Sequence, residues 1–376
     1  MINEQQKTKI LFFTPTAGRT GSEMMLWYIL KNFDRSKFEA GLVSFAHGEL
    51  LHELPADIPY WVAPRDFSLL QKFLFKLGYA PIDASIKKAQ KQFKADIWYM
   101  NTMTLPEIVP LAKQLNIKLI THFHELSLSY ESFKYHDLEL IINHSDLLIG
   151  CSEITTRRII ESGGKNAISF YSFIDTSLIN PDLQKARALR KKLGIKENDK
   201  VYVLAGTMNS RKGIDYLPAI AESFNDPNTH LIWLGNKPKS GLIYYIEQKC
   251  KAIKTTKVHL PGLQRDDYFN YLSLADIFLL TSREDPFPLV MIEAAFLGKP
   301  IVAFNSGGIE EFMQPGMGIV TKSMSTKELK EGIVSINEGM TGTNSDISKQ
   351  RALKFDISNQ LPVWEEILDS FIKRSL

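Results

Sequence analysis

The stretch Val201-Tyr-Val-Leu-Ala-Gly-Thr-Met-Asn-Ser-Arg-Lys-Gly-Ile-Asp215 decides the fold. Val201 to Ala205 reads as a short strand buried on both faces, because no polar residue alternates with the apolar ones. Gly206 ends the run and frees the backbone for close approach to a ligand. A helical stretch, Tyr216–Phe224, follows, and then another strand-like run, Thr229–Leu234. Buried strands that alternate with helices predict a parallel sheet wrapped by helices.

The pattern extends in both directions. C-terminally, strands are expected at Lys257–Leu260, Ile277–Thr281, Pro300–Phe304 and Gly318–Val320. The helices between them fall at Leu242–Lys251, Asp266–Ser273, Pro288–Leu297 and Lys327–Asn337. N-terminally, strands are expected at Ile10–Thr14, Ala40–Phe45, Ile97–Met100, Lys118–His122 and Leu147–Cys151, again with helices between. A polar stretch, Asn180–Lys200, reads as the join, with a short helix inside it. Two α/β domains in series are therefore expected, residues 1–178 and 179–354, with a cleft at the carboxyl ends of their strands. The tail, 355–376, reads as an amphipathic helix that docks on a domain, the N-terminal one being expected. Its apolar positions are Leu361, Val363, Trp364, Ile367, Leu368 and Phe371.

Bulk properties exclude several classes. A length of 376 residues suits two cores rather than one. No apolar run approaches the roughly 18 residues of a spanning helix, and the N-terminal residues do not read as a signal peptide. Cys151 and Cys250 form neither a CxxC nor a zinc spacing, which points to a reducing, cytoplasmic setting. A net charge of +3 does not indicate a nucleic-acid binder. The charge is uneven: Leu69–Lys94 carries six lysines, one acid and several apolar and aromatic residues. This segment reads as a core-packed helix with a solvated lysine face; the same pattern would suit peripheral contact with an anionic membrane.

A second stretch carries the chemistry: Arg283-Glu-Asp-Pro-Phe-Pro-Leu-Val-Met-Ile-Glu-Ala-Ala-Phe-Leu-Gly298. Pro288 suits the first helical turn and Gly298 the end. Glu293 is the sole charge from Phe287 to Leu297. A carboxylate there must find donors or shift its pKa. Ribose hydroxyls would serve as donors, and the helix start offers free amides to a phosphate. An internal ion pair with a basic group is the alternative. Arg211 and Lys212 would neutralise a diphosphate; as a lone pair they could equally be solvated surface cations.

The acid-x7-acid pattern Asp285-Pro-Phe-Pro-Leu-Val-Met-Ile-Glu293 resembles the signature of the retaining GT-B glycosyltransferases of family 4. In that family the first acid is normally Glu, so Asp285 is one methylene shorter. The resemblance implies a GT-B fold, two Rossmann-like α/β domains facing each other across a deep cleft. The N-terminal domain would bind the acceptor and the C-terminal one the nucleotide sugar. It further implies that Glu293 holds the ribose, Asp285 the donor sugar, and Arg211, Lys212 and Gly206 the diphosphate. Many members have arginine directly after the first glycine, where this chain has Thr207. Phe287, Pro288 and Leu289 would line the donor site, and Leu263, in the turn His259-Leu-Pro-Gly-Leu-Gln264, would meet the nucleotide base. Asn305-Ser-Gly-Gly-Ile-Glu-Glu311 resembles the family's glycine turn near the donor.

In the first domain Gly18, Gly21 and Ser22, within Thr14-Pro-Thr-Ala-Gly-Arg-Thr-Gly-Ser-Glu23, match the loop beside donor and acceptor. Its glycines also suit phosphate binding on backbone amides. His124 of Thr121-His-Phe-His-Glu-Leu126 matches the histidine that faces the donor sugar, with His122 pointing elsewhere. His-x-His could instead ligate a metal or be purely structural, but no third ligand is apparent. Gly150-Cys-Ser-Glu153 and Phe173-Ile-Asp175 resemble elements that shape the cleft.

The resemblance thus implies a retaining hexosyltransferase that moves a sugar from a nucleoside-diphosphate sugar, UDP- or GDP-linked, to a glycan or lipid-linked acceptor in cell-surface polysaccharide or glycolipid synthesis. No Asp-x-Asp pair occurs in the chain, so no metal and no cofactor is expected, with cationic side chains in the metal's place. Lys212, Arg211, Asp285 and His124 are the candidate catalytic residues. The alternatives are a sugar-nucleotide 2-epimerase of the same architecture and a non-catalytic nucleotide-sugar-binding protein.

Overall fold

The alternation of apolar runs and amphipathic helices builds two parallel sheets in the computed structural model, which describes residues 7–63 and 81–375. The chain divides into two compact units: Met1–Ser172 with Ile357–Leu376, and Phe173–Asp356.

The first sheet contains β1 (Thr8–Thr14), β2 (Phe38–Ser44), β3 (Tyr60–Val62), β4 (Ile97–Met100), β5 (Lys118–Phe123), β6 (Leu147–Gly150) and β7 (Ala167–Ser169). Their order is β3-β2-β1-β4-β5-β6-β7, all parallel. β1 is apolar throughout because both of its faces are covered. Leu11 and Phe13 join one core with Trp98 and Met100, the Phe13 and Trp98 rings lying 5.0 Å apart. Phe12 points the other way, with Trp364 of the Ile357–Ser375 helix 6.1 Å from its ring. In that helix Trp364, Leu368 and Phe371 are buried at helical spacing, whereas Val363, expected on the apolar face, is exposed. The edge strands β3 and β7 were not expected: each has three residues and is covered too little to produce an apolar run.

The second sheet contains β8 (Lys200–Ala205), β9 (Thr229–Leu234), β10 (Lys257–Gly262), β11 (Ile277–Leu280), β12 (Ile301–Phe304) and β13 (Gly318–Thr321). Their order is β10-β9-β8-β11-β12-β13, all parallel. From β8 the chain leaves through the Leu217–Phe224 helix to β9 on one side. From β11 it leaves through the Leu289–Phe296 helix to β12 on the other. The loops after β8 and β11 therefore diverge between adjacent strands, the place where open α/β sheets bind ligands. β1 and β4 hold the same position in the first sheet.

The polar stretch 180–200 lies inside the second unit, where the Leu183–Lys192 helix, capped by Asp182, buries Ala186 and Leu189. Of Leu69–Lys94, residues up to 80 lie outside those described. The Pro81–Phe93 helix buries Ile86 and Ala89 and exposes Lys87, Lys88 and Lys91, a core-packed helix with a solvated lysine face. Among the described residues no helix is long and apolar enough to cross a membrane.

Candidate functional site

Three loops at the carboxyl ends of β8, β11 and β12 are knitted together. In the β8 loop, Gly206 adopts φ +141°, and a Cβ there would come within 3.3 Å of the Lys212 side chain. Its bare backbone makes room for the lysine stem. Gly213, at φ +78°, backs onto β11: a Cβ would meet the Thr281 carbonyl at 2.2 Å. These two glycines aim Lys212 across the divergence point, and its Nζ contacts Asp285 Oδ2. Ser282 Oγ donates to the same oxygen at 2.9 Å. Arg211 Nη1 donates to the Glu284 carbonyl at 2.9 Å and lies 4.0 Å from Asp285 Oδ1. Arg211, Lys212 and Asp285, expected on separate loops, are thus brought together. Burial raises the Asp285 pKa, but the Lys212 and Arg211 charges outweigh it and hold the carboxyl below its ordinary range.

The β12 loop completes this floor. Asp285 N–H donates to the Ser306 carbonyl at 2.7 Å, and Gly308 N–H to the Asp285 carbonyl at 3.1 Å. A Cβ on Gly308 would lie 1.9 Å from the Pro286 carbonyl, so the loops meet this closely only because residue 308 is glycine.

Glu293 sits one turn into the Leu289–Phe296 helix. It is half-buried and accepts a hydrogen bond from Tyr268 Oη at 2.7 Å. No basic side chain pairs with it among the described residues, so the ion-pair alternative is not realised. Burial pushes its pKa up to about 7, with the Tyr268 hydrogen bond opposing. Pro288 is the N-cap, one place earlier than expected, and Leu289 opens the helix. Gly298, at φ +70°, follows the helix's last turn. The Phe287 ring is buried against Phe355 at 5.0 Å and Phe312 at 6.1 Å, because the loop needs an apolar anchor. Leu263 is 56% exposed, just after Gly262, which takes φ +80°.

In the first unit, Gly18 lies on the loop that follows β1, and Gly21 and Ser22 open the Gly21–Asn32 helix. Thr20 and Glu23 close a capping box there, which already uses helix-start donors. Asn101, at the end of β4, donates from Nδ2 to the Ser22 carbonyl at 2.9 Å, and its Oδ1 lies 3.3 Å from His124 Nε2. Ser22, Asn101 and His124 therefore form one connected edge. Burial lowers the His124 pKa to about 3, so the ring is neutral. His122 turns into the core, with Nδ1 2.8 Å from Tyr99 Oη. Among the described residues no three His, Cys, Asp or Glu side chains gather as metal ligands.

Sequence reasoning missed Ser282, Asn101, Tyr268 and the pair Arg283–Asp215. Ser282 lies three residues before Asp285, a local signal that could have been read. The others act across 25 to 79 positions and left none.

Residues 185–350, which hold this β8–β11–β12 arrangement, match the family model "Glycosyl transferases group 1". That segment belongs to the family. Among characterised members the chain is 24% identical over 258 residues to the GDP-mannose-dependent monoacylated alpha-(1-6)-phosphatidylinositol monomannoside mannosyltransferase of Corynebacterium glutamicum, covering 64% of this chain and 66% of the relative. It is 27% identical over 192 residues to the alpha-galactosylglucosyldiacylglycerol synthase of Streptococcus pneumoniae, covering 50% of this chain and 49% of the relative. These matches span between about half and two thirds of the relatives' length. Among solved structures, Anabaena Alr3699/HepE in complex with UDP and glucose superposes with a TM-score of 0.81 at 25% identity, covering 96% of this chain and 100% of the other. Sucrose-phosphate synthase from Thermosynechococcus elongatus shares the fold with a TM-score of 0.80 at 15% identity, covering 98% of this chain and 100% of the other. The two parallel α/β sheets of this chain are those of the GT-B fold.

Proposed function

We propose that the chain is a retaining, metal-independent glycosyltransferase that moves a hexose from a nucleoside-diphosphate sugar to a glycan or lipid-linked acceptor. One observation carries this reading: Arg211 and Lys212 after β8 converge on Asp285 after β11, where the strand order diverges. Cleaving the bond between the sugar's anomeric carbon and the diphosphate leaves negative charge on the phosphate. Two fixed cations and the amides opening the Leu289–Phe296 helix lie where that charge develops, so they favour the transition state over the ground state. A new bond forms from the anomeric carbon to an acceptor hydroxyl. The departing phosphate oxygen takes that hydroxyl's proton, so the reaction balances without a protein base.

In this reading the second unit holds the donor, with Glu293 on the ribose, Leu263 beside the base, and Asp285 keeping Lys212 in place near the sugar. The first unit presents the acceptor along Gly18, Gly21, Ser22 and His124. Relatives named for GDP-mannose and a structure holding UDP support a GDP- or UDP-sugar. A relative named as a diacylglycerol glycolipid synthase supports a lipid-linked acceptor. The lysine face of the Pro81–Phe93 helix suits peripheral contact with the anionic cytoplasmic face of a membrane.

The test is a thermal-shift panel of UDP, GDP, ADP and their sugars, followed by release of diphosphate from the stabilising donor in the presence of candidate acceptors. Lys212→Ala is expected to reduce release at least 100-fold while the variant stays folded. Undiminished turnover by that variant, or no stabilisation of the wild type by any nucleotide, overturns the proposal.

A further inference from the structure

The cations of the donor site sit on the loop that follows β8, and one side chain outside the loop fixes its shape. Arg283 immediately follows Ser282 at the end of β11. Its N–H donates to the Arg211 carbonyl at 2.8 Å. Its guanidinium makes two parallel bonds to Asp215, 2.7 Å from Nη1 to Oδ1 and 2.6 Å from Nη2 to Oδ2. Nη1 also reaches the Ser210 carbonyl. The plane of the group lies 4.4 Å over the Tyr216 ring, which in turn meets the buried Phe304 edge-on at 5.2 Å. Arg283 therefore touches residues 210, 211, 215 and 216, on both sides of Lys212. Its charge is already matched by Asp215, whose carboxyl that bond holds below the ordinary range. A planar fork that bonds at both ends and stacks on a ring fixes a geometry that a lysine could not.

We propose that the Arg283–Asp215 clasp is a positioning device: it holds the Arg211–Lys212 loop in the conformation that receives the donor diphosphate. The inference rests on the reading that this loop binds a nucleoside diphosphate. A guanidinium whose charge Asp215 already matches is poorly placed to act as a phosphate ligand itself, and a partly exposed pair adds little to global stability. What the clasp does supply is register, since Lys212 reaches the diphosphate only if the backbone around it is fixed.

The experiment is calorimetric titration of UDP and GDP into wild type, Arg283→Lys, Asp215→Asn and the double variant, at a temperature well below unfolding, with melting temperatures recorded alongside. If wild type binds neither nucleotide, the donor-site reading itself is lost, whatever the variants do. If wild type binds, each single variant is expected to weaken the diphosphate about tenfold, with the double no weaker than either single. Melting temperatures should stay within about 3 °C of wild type. Unchanged affinity in both singles would mean a purely structural pair. Tighter binding by Asp215→Asn would mean that freeing the guanidinium adds a phosphate ligand. Additive losses would mean two independent roles. Each of these three results overturns the clasp.

Discussion

A carboxyl poised near pH 7 is the sharpest residue-level feature of the site. Glu293 lies among Met291, Ile292, Ala294 and Ala295, all buried, with Tyr268 as its donor. Its folded pKa of about 7 exceeds the ordinary value of 4.5, so the native state binds its proton more tightly than the unfolded chain does. The linked stability is present in full below pH 4.5 and is lost as pH rises towards 7. Glu293→Gln removes that loss, and the variant should be more stable than wild type at pH 8 by about 1–3 kcal/mol, with the gap closing at pH 4.5. Urea unfolding at the two pH values checks it; equal gaps at both would show that the carboxyl is ionised at little cost. A ligand whose hydroxyls donate to the carboxylate prefers its ionised form. Nucleoside-diphosphate affinity should therefore rise more steeply from pH 5.5 to 8 in wild type than in Glu293→Gln, whose remaining slope is that of the phosphate's own ionisation, read by calorimetry. Tyr268→Phe takes away the opposing hydrogen bond and should move the wild-type midpoint upwards.

At the scale of elements, the site is a matter of loop proximity, and the glycines record how close the loops come. A methyl group on residue 308 would overlap the Pro286 carbonyl, and one on residue 213 would overlap Thr281 at positive φ. Gly308→Ala and Gly213→Ala should each cost roughly 1–3 kcal/mol and weaken diphosphate binding, because the β8, β11 and β12 loops are forced apart. Gly241→Ala, at a helix start with nothing within 4 Å, should change stability by no more than about 0.5 kcal/mol. Denaturant midpoints of the three variants check this, and a neutral Gly308→Ala would mean the loops move freely. The same proximity explains what the sequence disclosed. Inner strands of the second sheet were legible because a doubly covered strand is apolar at every position, as Ile277–Leu280 and Ile301–Phe304 are. The loop cations and Glu293 were legible as charges in apolar or glycine-rich surroundings. The Arg283–Asp215, Asn101–Ser22 and Tyr268–Glu293 bonds were not, because they depend on which strand lies beside which, and local periodicity carries no strand order. The packing of Phe287 on Phe312 and Phe355 was not legible either, because an apolar residue in a site motif looks the same in sequence whatever it packs against.

At the scale of the whole molecule, the chain returns to its first unit after completing the second. The Ile357–Ser375 helix supplies the cover for a sheet face that the first 172 residues leave partly unmade. Trp364 is fully buried there, 6.1 Å from the Phe12 and Phe38 rings and 6.2 Å from Tyr99. Asp34 N–H donates to Glu365 at 2.8 Å and fixes the helix lengthwise. An indole packed among three rings contributes far more than its neighbours on the helix, so Trp364→Ala should cost about 3–5 kcal/mol. The loss should be local to the surface the indole covers. Hydrogen exchange would show it as reduced protection in peptides spanning Thr8–Thr14 and Ile97–Met100, with Lys200–Ala205 and Ile277–Leu280 unchanged. Uniform loss of protection in both sheets would mean that the tail stabilises the chain through something other than this packing. Val363, one position away but exposed, is the matched control: Val363→Ala should leave both sets of peptides as they are.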